Sequence, residues 1–430
     1  MSTKELTTYA LHALKQAGAE KAETILTRTE KTEMNLENGA LKLIRTTVDH
    51  HLRLTALKNQ RRGSLLLNKI DRTALDPAVQ EVLAIAASSA PDPAHDIAEY
   101  QPPKIFNKGG TAPDFDLMYQ RFKTFTSDVA AEFPRILLLN AHLDFTRQTT
   151  FFQNSNGVDF TVNQGGYRFA VTFSAREGHG SSSFNNTGFF TLDLKEELLN
   201  CGSLRILFDQ ANRGQTPRKA PGKFTGEVII TPDCLEEFLH SLLEITISDG
   251  PLIAGTSPFR HQLNQQVVSS RLTLDCRPVS PEISSGYFIT SDGYEAQNAT
   301  IFENGVLKSF LLSQYGAKKT GLPRAANDGG AFVVTPGDQP LATILKKVKK
   351  GLLLNRFSGG APSPNGDFSG VAKNSFYIED GTIQYPLSET MIAGNLITLF
   401  QSILAVSQER IDFGSAILPW IHAYGVTISG

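Results

Sequence analysis

Four times in this chain of 430 residues an Asn-Gly or Asp-Gly pair stands between runs of strand-forming residues: Asn38-Gly39, Asn156-Gly157, Asn304-Gly305 and Asp380-Gly381. A two-residue type I′ turn needs positive φ at both central positions, which Asn, Asp and Gly accept at least cost. Each pair therefore predicts an antiparallel hairpin. Three of them follow an acid, Glu37, Glu303 or Glu379. Their flanks do not match over roughly 20 residues, so this is recurrent turn chemistry and not an internal repeat.

Helical patterns lie between the hairpins. Near the N-terminus Ser2 and Glu5 form a capping-box pattern, Leu6, Tyr9, Ala10, Ala13, Leu14 and Ala17 make a buried stripe, and Gly18 ends the helix. Strands are expected over 23–30 and 32–37, a second hairpin over 57–66, and a second helix from Asp76-Pro77 that buries Val79, Leu83 and Ala86. Pro91, Pro93, Pro102, Pro103 and Pro113, with Gly109-Gly110, make a stiff connector and place a boundary near residue 105. Beyond it come a helix over 114–133, strands over 136–145, 149–154, 159–163 and 167–175, a polar loop over 178–186 and a helix over 192–208. A chain this long exceeds one core. The expected fold class is α+β: a small N-terminal α/β unit (1–105), a middle α/β unit (106–222) and a large β-rich C-terminal domain (223–430).

The C-terminal domain opens with the stretch 226–250. An apolar strand over 227–230 meets a helix start at Thr231-Pro232-Asp233, followed by the stripe Leu235, Phe238, Leu239, Leu242 and Leu243. His240 and Glu244 lie off that stripe, one turn apart, where they could touch. A zinc peptidase places a metal ligand on such a helix, with a second His and a Glu beside the first. Here Ser241 follows His240, and no second His lies within two turns. Strands are then expected over 287–290, 299–302, 306–312, 376–378 and 382–385. A helix over 341–350 carries Lys346, Lys347, Lys349 and Lys350 as a solvated face at its C-terminal end, where they oppose the helix dipole. Asn395 caps a helix burying Leu396, Leu399, Phe400, Ile403 and Leu404, and two short strands close the chain around Trp420. The loops Asn327-Asp328-Gly329-Gly330 and Ser358-Gly359-Gly360 read as turns or as places where a peptide backbone approaches closely. Asn327, Gly329, Gly330, Gly359 and Gly360 are thus the peptide-binding candidates.

Charge and cysteine usage exclude several functions. Lys plus Arg is 41 against 43 Asp plus Glu, a formal charge of −2, which recommends neither nucleic acid nor an anionic membrane as a partner. Cys201, Cys234 and Cys276 are far apart and form no Cys-x-x-Cys pattern, which predicts free thiols and a reducing cytoplasm. The N-terminal stretch has no signal-peptide core, and no apolar run is long enough to span a bilayer. Gly366-Asp367-Phe368-Ser369-Gly370 approaches a nucleophile elbow but has its serine one place late. His179 and His261 have no nucleophile at a matching spacing.

The most specific motifs are C-terminal: Gly366-Asp367-Phe368-Ser369, Tyr377-Ile378-Glu379-Asp380-Gly381, Tyr385-Pro386-Leu387-Ser388-Glu389 and Ile392-Ala393-Gly394-Asn395. In order and spacing they resemble the TldD/PmbA family, also called TldD/TldE and often labelled modulators of DNA gyrase. Phe302-Glu303-Asn304-Gly305-Val306-Leu307-Lys308, Tyr315-Gly316-Ala317-Lys318-Lys319-Thr320-Gly321 and Leu36-Glu37-Asn38-Gly39 extend the resemblance upstream. It implies a cytoplasmic two-subunit peptidase system in which the TldD kind binds zinc through a His-Glu-x-x-x-His helix and a later Cys. The PmbA (TldE) kind lacks these and pairs with the catalytic subunit. Here His240 falls on the first His, Ser241 on the Glu and Ile245 on the second His, while Phe413-Gly414-Ser415-Ala416 has no Cys.

The sequence is therefore similar to the PmbA branch. The resemblance implies no metal and no catalytic residue in this chain, zinc in a TldD-like partner, and a dimer with that partner or with itself, mainly through the C-terminal domain. Unfolded or modified peptides would be the ligands. Two alternatives are a regulator acting on DNA gyrase by protein–protein contact, and a peptidase with an unrecognised site.

Overall fold

Three of the four turns form as their residues require. Asn38 and Gly39 have φ of 49° and 77°, Asn304 and Gly305 47° and 79°, and Asp380 and Gly381 46° and 73°. The fourth differs. Only Gly157 is left-handed there, and Asn154 closes a longer loop by accepting from the backbone N–H of Asn156 and of Val158. These features belong to a computed structural model that describes residues 3–178, 180–214, 216–388 and 390–430. Ser2, His179 and Glu389 lie outside the described residues.

The first sheet has eight strands. Its path runs from Arg61–Leu67 through Ala40–Lys58, Lys21–Glu37 and Ile136–Asn154 to Asp159–Glu177. That last strand is flanked by Lys104–Gly109, parallel, along its first half and by Asn185–Thr191, antiparallel, along its second. Three pairs of short strands expected from the sequence are in fact single strands of 17, 19 and 19 residues. The residues between them are ladder positions across the sheet, not breaks: Thr146 pairs with Lys31 and with Gly166, Gln148 pairs with Gln164, and Lys31 reaches both Glu33 and Asp144. This sheet runs across the division expected near residue 105, and it carries one core toward each end. The helices Thr3–Gln16 and Arg72–Ser88 cover one, and Phe115–Glu132 and Leu204–Arg213 the other.

Several helix limits differ from the sequence pattern. The second helix starts at Arg72, because Asp71 caps it by accepting from Ala74, and Pro77 stands inside it. The helix expected over 192–208 is a short 3₁₀ turn, Leu198–Asn200, and a separate helix from Leu204, with left-handed Gly202 between them. The helix at 341 ends at Leu345, since Lys350–Leu354 is claimed by the second sheet. No strand forms over 287–290, where only an isolated bridge joins Ile289 to Glu295. The strand from Val306 stops at Leu307.

The second sheet has thirteen strands and holds the C-terminal domain. At its centre Lys223–Ile230 lies between Ile417–Ser429, antiparallel, and Lys350–Leu354, parallel. The helix Pro232–Ile247 lies against one face of this sheet in the largest apolar core. Asn395 caps Leu396–Gln401 through Thr398, while Ile403 and Leu404 belong to the strand Ile403–Asp412 and Leu404 is exposed. The two closing strands are long, 10 and 13 residues, and Trp420 is buried in a separate cluster.

A smaller apolar cluster joins the halves. Phe106 stacks on Phe288 at 5.0 Å, and Phe152 packs among Phe160, Ile289 and Tyr294. Gly293, at φ 88°, fits because it has no side chain: a Cβ there would stand 2.3 Å from the Phe152 ring. Gly293→Ala combines that clash with a strained φ and is expected to cost about 1–3 kcal/mol of stability, read by urea unfolding. A change within experimental error would show that the junction yields.

Candidate functional site

The helix Pro232–Ile247 begins where the central strand ends, so its position is fixed by the sheet. It turns Leu235, Phe238, Leu239, Leu242 and Leu243 into the core and leaves Glu236, Glu237, His240 and Glu244 toward solvent. Thr231 is the N-cap residue, but its hydroxyl makes no capping bond and is buried without a partner. Half-exposed His240 leans on the Phe332 ring, 4.6 Å between centroids. Its nearest carboxylate is Glu236, 4.0 Å away and one turn earlier, and not Glu244 as the sequence suggested. Burial holds the His240 imidazole below its ordinary pKa, and the charge of Glu244 offsets part of that.

His240 and Glu244 line a cleft of about 290 Å³ together with Asp249, Asp328, Gly330 and Phe332. Three of the five glycine-loop candidates, Asn327, Gly329 and Gly330, line it too. Their loop takes an unusual path, with Gly329, Gly330 and Ala331 at φ 79°, 69° and 47°. Asn327 secures it. The side chain is 2% exposed, donates to the Gln297 carbonyl at 2.8 Å and accepts from the Gly329 N–H at 3.0 Å. The Tyr287 hydroxyl accepts from the Asp328 N–H and donates to the Gly329 carbonyl, both at 2.8 Å. Asn327 thus holds the loop and has no amide group to spare, while a Cβ on Gly330 would meet nothing within 4 Å. Gly330 is the point where another backbone could come close.

The cleft wall is fixed by an ion pair that the sequence did not reveal. Arg324 donates to both oxygens of Asp292, at 2.8 and 2.6 Å, and lies 3.8 Å over the Tyr294 ring. Asp292 also accepts from the Gln314 N–H at 2.7 Å and from Thr290 at 2.6 Å. Burial alone would raise the Asp292 carboxyl, but Arg324 and the other donors outweigh it and hold it below the usual range. Asp328, with no cation bonded to it among the described residues, is raised by burial.

The other two candidates lie elsewhere. Gly359 lines a second cleft, of about 500 Å³, beside the first turns of the helix at Asp233, Glu236 and Glu237. It is required by packing, since a Cβ would stand 2.4 Å from the Phe357 ring. Gly360 is exposed. Ser369 is an exposed residue within the strand Asp367–Lys373, not on an elbow, and His261 is exposed.

The residues at the motif positions do not fit zinc. One imidazole, one hydroxyl and one hydrocarbon are not the three ligands that a catalytic site needs. His240 faces the cleft while Ile245 packs against the core. The three cysteines are free thiols, and burial raises each of them, Cys201 to about 11. Among the described residues no group of three or more His, Cys, Asp and Glu is arranged to hold a metal.

Comparison with known proteins places this geometry in context. Residues 222–430 match the model of the PmbA/TldA metallopeptidase C-terminal domain. A metalloprotease PmbA homolog of Haemophilus influenzae is 24% identical, over 96% of this chain and 94% of its own length. A solved structure from Bacteroides thetaiotaomicron, described as a candidate modulator of DNA gyrase, has a TM-score of 0.86 at 22% identity and covers 99% of this chain and 98% of its own. TldE from Thermococcus kodakarensis gives 0.81 at 18% identity, covering 99% and 100%. These structures share the fold.

The Arg324–Asp292 pair gives a signed prediction. A carboxyl held below its unfolded value contributes stability that is fully present above about pH 4 and lost as pH falls through the lower folded value. Arg324→Met is expected to destabilise the protein by about 2–4 kcal/mol at pH 7, with the gap to the parent narrowing below about pH 4. Thermal unfolding across pH measures it, and a gap that widens in acid would refute the assignment.

Proposed function

Because the chain belongs to the TldD/PmbA family, we propose that it is a PmbA/TldE-like, non-catalytic subunit of a zinc peptidase complex. It forms part of a chamber for unfolded or modified peptides, and a TldD-like subunit supplies the metal and the catalytic groups. One observation carries this reading. The helix that would present the metal ligands is in place beside an open cleft, yet it offers His240, Ser241 and Ile245. Ser241 has no basic group with which to take a proton from a water molecule, so the chain lacks the general base along with the ligands.

The chain's own residues do a different task. The Asn327–Ala331 loop presents bare backbone at Gly330, and the Asp292–Arg324 pair fixes the wall beside it. A peptide there would be held by backbone contacts, which suits a chamber that accepts many sequences. The partner is a TldD-like subunit or, in its absence, a second copy, since surfaces built for a related subunit can serve two copies of one chain. A cytoplasmic location is consistent with three free cysteines and with the absence, among the described residues, of any helix long and apolar enough to cross a membrane.

Elemental analysis of protein purified from zinc-supplemented growth tests the reading. The expected zinc content is far below one per chain, with no hydrolysis of a fluorogenic peptide until a TldD-like subunit is added. A stoichiometry near one, or hydrolysis by this chain alone, would overturn it.

A further inference from the structure

The cleft at the other end of the site helix has no part in the family's metal motif. It opens between the two halves, at the carboxyl ends of the parallel strands Lys223–Ile230 and Lys350–Leu354. In α/β sheets such strand ends commonly form ligand crevices. Its volume is about 500 Å³, and a neighbouring hollow of about 580 Å³ shares Asn186, Thr187, Gly188 and Phe413 with it.

Three features of its walls belong together. The first is a buried acceptor with nothing to accept. Asn355 is 4% exposed, and its Nδ2 donates to Gln210 at 2.8 Å and to the Asn374 carbonyl at 2.6 Å, two residues outside this lining. Its Oδ1 has no donor among the described residues. A buried polar atom left unpaired costs about 1–3 kcal/mol, so an incoming donor there has an advantage.

The second feature is charge. Asp233, Glu236 and Glu237 line the cleft against a single lining cation, Arg356. Asp233 is committed to Ser203 and Thr187. Glu236 has only the distant His240, and Glu237 has no ion-pair partner among the described residues.

The third feature is an open strand edge. In Asn185–Thr191 the N–H of Phe190 points away from the sheet, onto the Phe413 carbonyl. Strand alternation then turns the N–H and C=O of Gly188 and the C=O of Asn186 the same way, and among the described residues Gly188 has no backbone partner on that side.

We propose that this cleft is a second peptide subsite that takes an extended segment along the Gly188 edge and reads a lysine or arginine side chain with Glu236, Glu237 and the Asn355 carbonyl oxygen. The assignment rests on the peptide-handling role proposed above and adds a chemical preference to it. Main-chain pairing along a free edge supplies affinity without sequence, and a side-chain pocket beside it supplies choice. A cationic donor satisfies the orphaned acceptor and the unpaired carboxylates at once. It also explains why this bay is acidic at a helix N-terminus, where carboxylates are favoured by the helix dipole yet need not be left without partners.

Fluorescence anisotropy of the full chain with dye-labelled hexapeptides tests this. One peptide carries a central lysine, the second norleucine and the third glutamate. The lysine peptide is expected to bind about tenfold more tightly than the norleucine peptide and to weaken as salt rises. Glu236→Gln combined with Glu237→Gln, isosteric changes at partly exposed positions, should erase the preference while the melting temperature stays close to that of the parent. Asn355→Leu should weaken the lysine peptide, provided it melts like the parent. Equal binding of lysine and norleucine peptides, or a preference that survives the double Gln change, would overturn the subsite and leave the peptide-handling role standing. If Glu244→Gln in the His240 cleft erases the preference instead, the cation is read there and the assignment fails. If none of the three peptides binds, both the subsite and the peptide-handling role fail.

Discussion

The close parallel contact between Lys223–Ile230 and Lys350–Leu354 sets the position of everything chemical in this molecule. At Gly351 the two backbones approach so closely that a Cβ would stand 2.1 Å from the Glu227 carbonyl oxygen. Glu227 then ties three strands together, accepting from the Lys349 N–H at 3.0 Å and meeting the buried His422 ring at 2.6 Å. With these strands fixed, their carboxyl ends fall side by side at Thr231 and Asn355. The helix Pro232–Ile247 must start there, and each end of it faces one cleft. A shift of this strand pair would move both clefts together.

The first sheet contributes a platform whose middle is polar. Lys31 bridges Glu33 and Asp144, both nearly buried, and Thr pairs run beside them. Burial raises the Asp144 carboxyl in spite of Lys31, and one of its oxygens has no partner. Such a belt adds little net stability, because desolvation consumes most of the ion-pair gain. It does fix register along strands of up to 19 residues, since a one-residue slip would bury charge on the wrong face. A platform that cannot slip keeps Phe152 under Gly293, and through it keeps Asp292 in the wall of the His240 cleft.

What the sequence showed depended on whether the cause was local. The turns at Asn38-Gly39, Asn304-Gly305 and Asp380-Gly381, the helix after Thr231 and the Asn395 cap all rest on residues close in the chain, and they formed as expected. The merged long strands were missed because cross-strand partners, invisible to periodicity, make polar segments such as 146–148 good strand material. Asn327 was read from its glycine-rich loop as a peptide contact; it lines the His240 cleft, and its role as a loop anchor depends on Gln297, thirty residues away. Asp292 and Arg324 are separated by 32 positions and carry no motif. The orphaned oxygen of Asn355 has no sequence signature, because an atom without a partner is a property of packing alone.

At the motif positions it is residue identity, not helix spacing, that fails to fit a metal: an imidazole, a hydroxyl and a hydrocarbon. His240 faces a cleft, while Ile245 is partly buried and packs against the core. Rebuilding the motif would require a histidine in place of that aliphatic side chain, beside Leu242, Leu243 and Ile247, and a carboxylate in place of Ser241. The helix serves as a wall shared by two clefts. Its exposed stripe of Glu236, Glu237, His240 and Glu244 runs without interruption from one cleft to the other. Along that stripe this chain offers an imidazole and a carboxylate to the His240 cleft, and two carboxylates to the other.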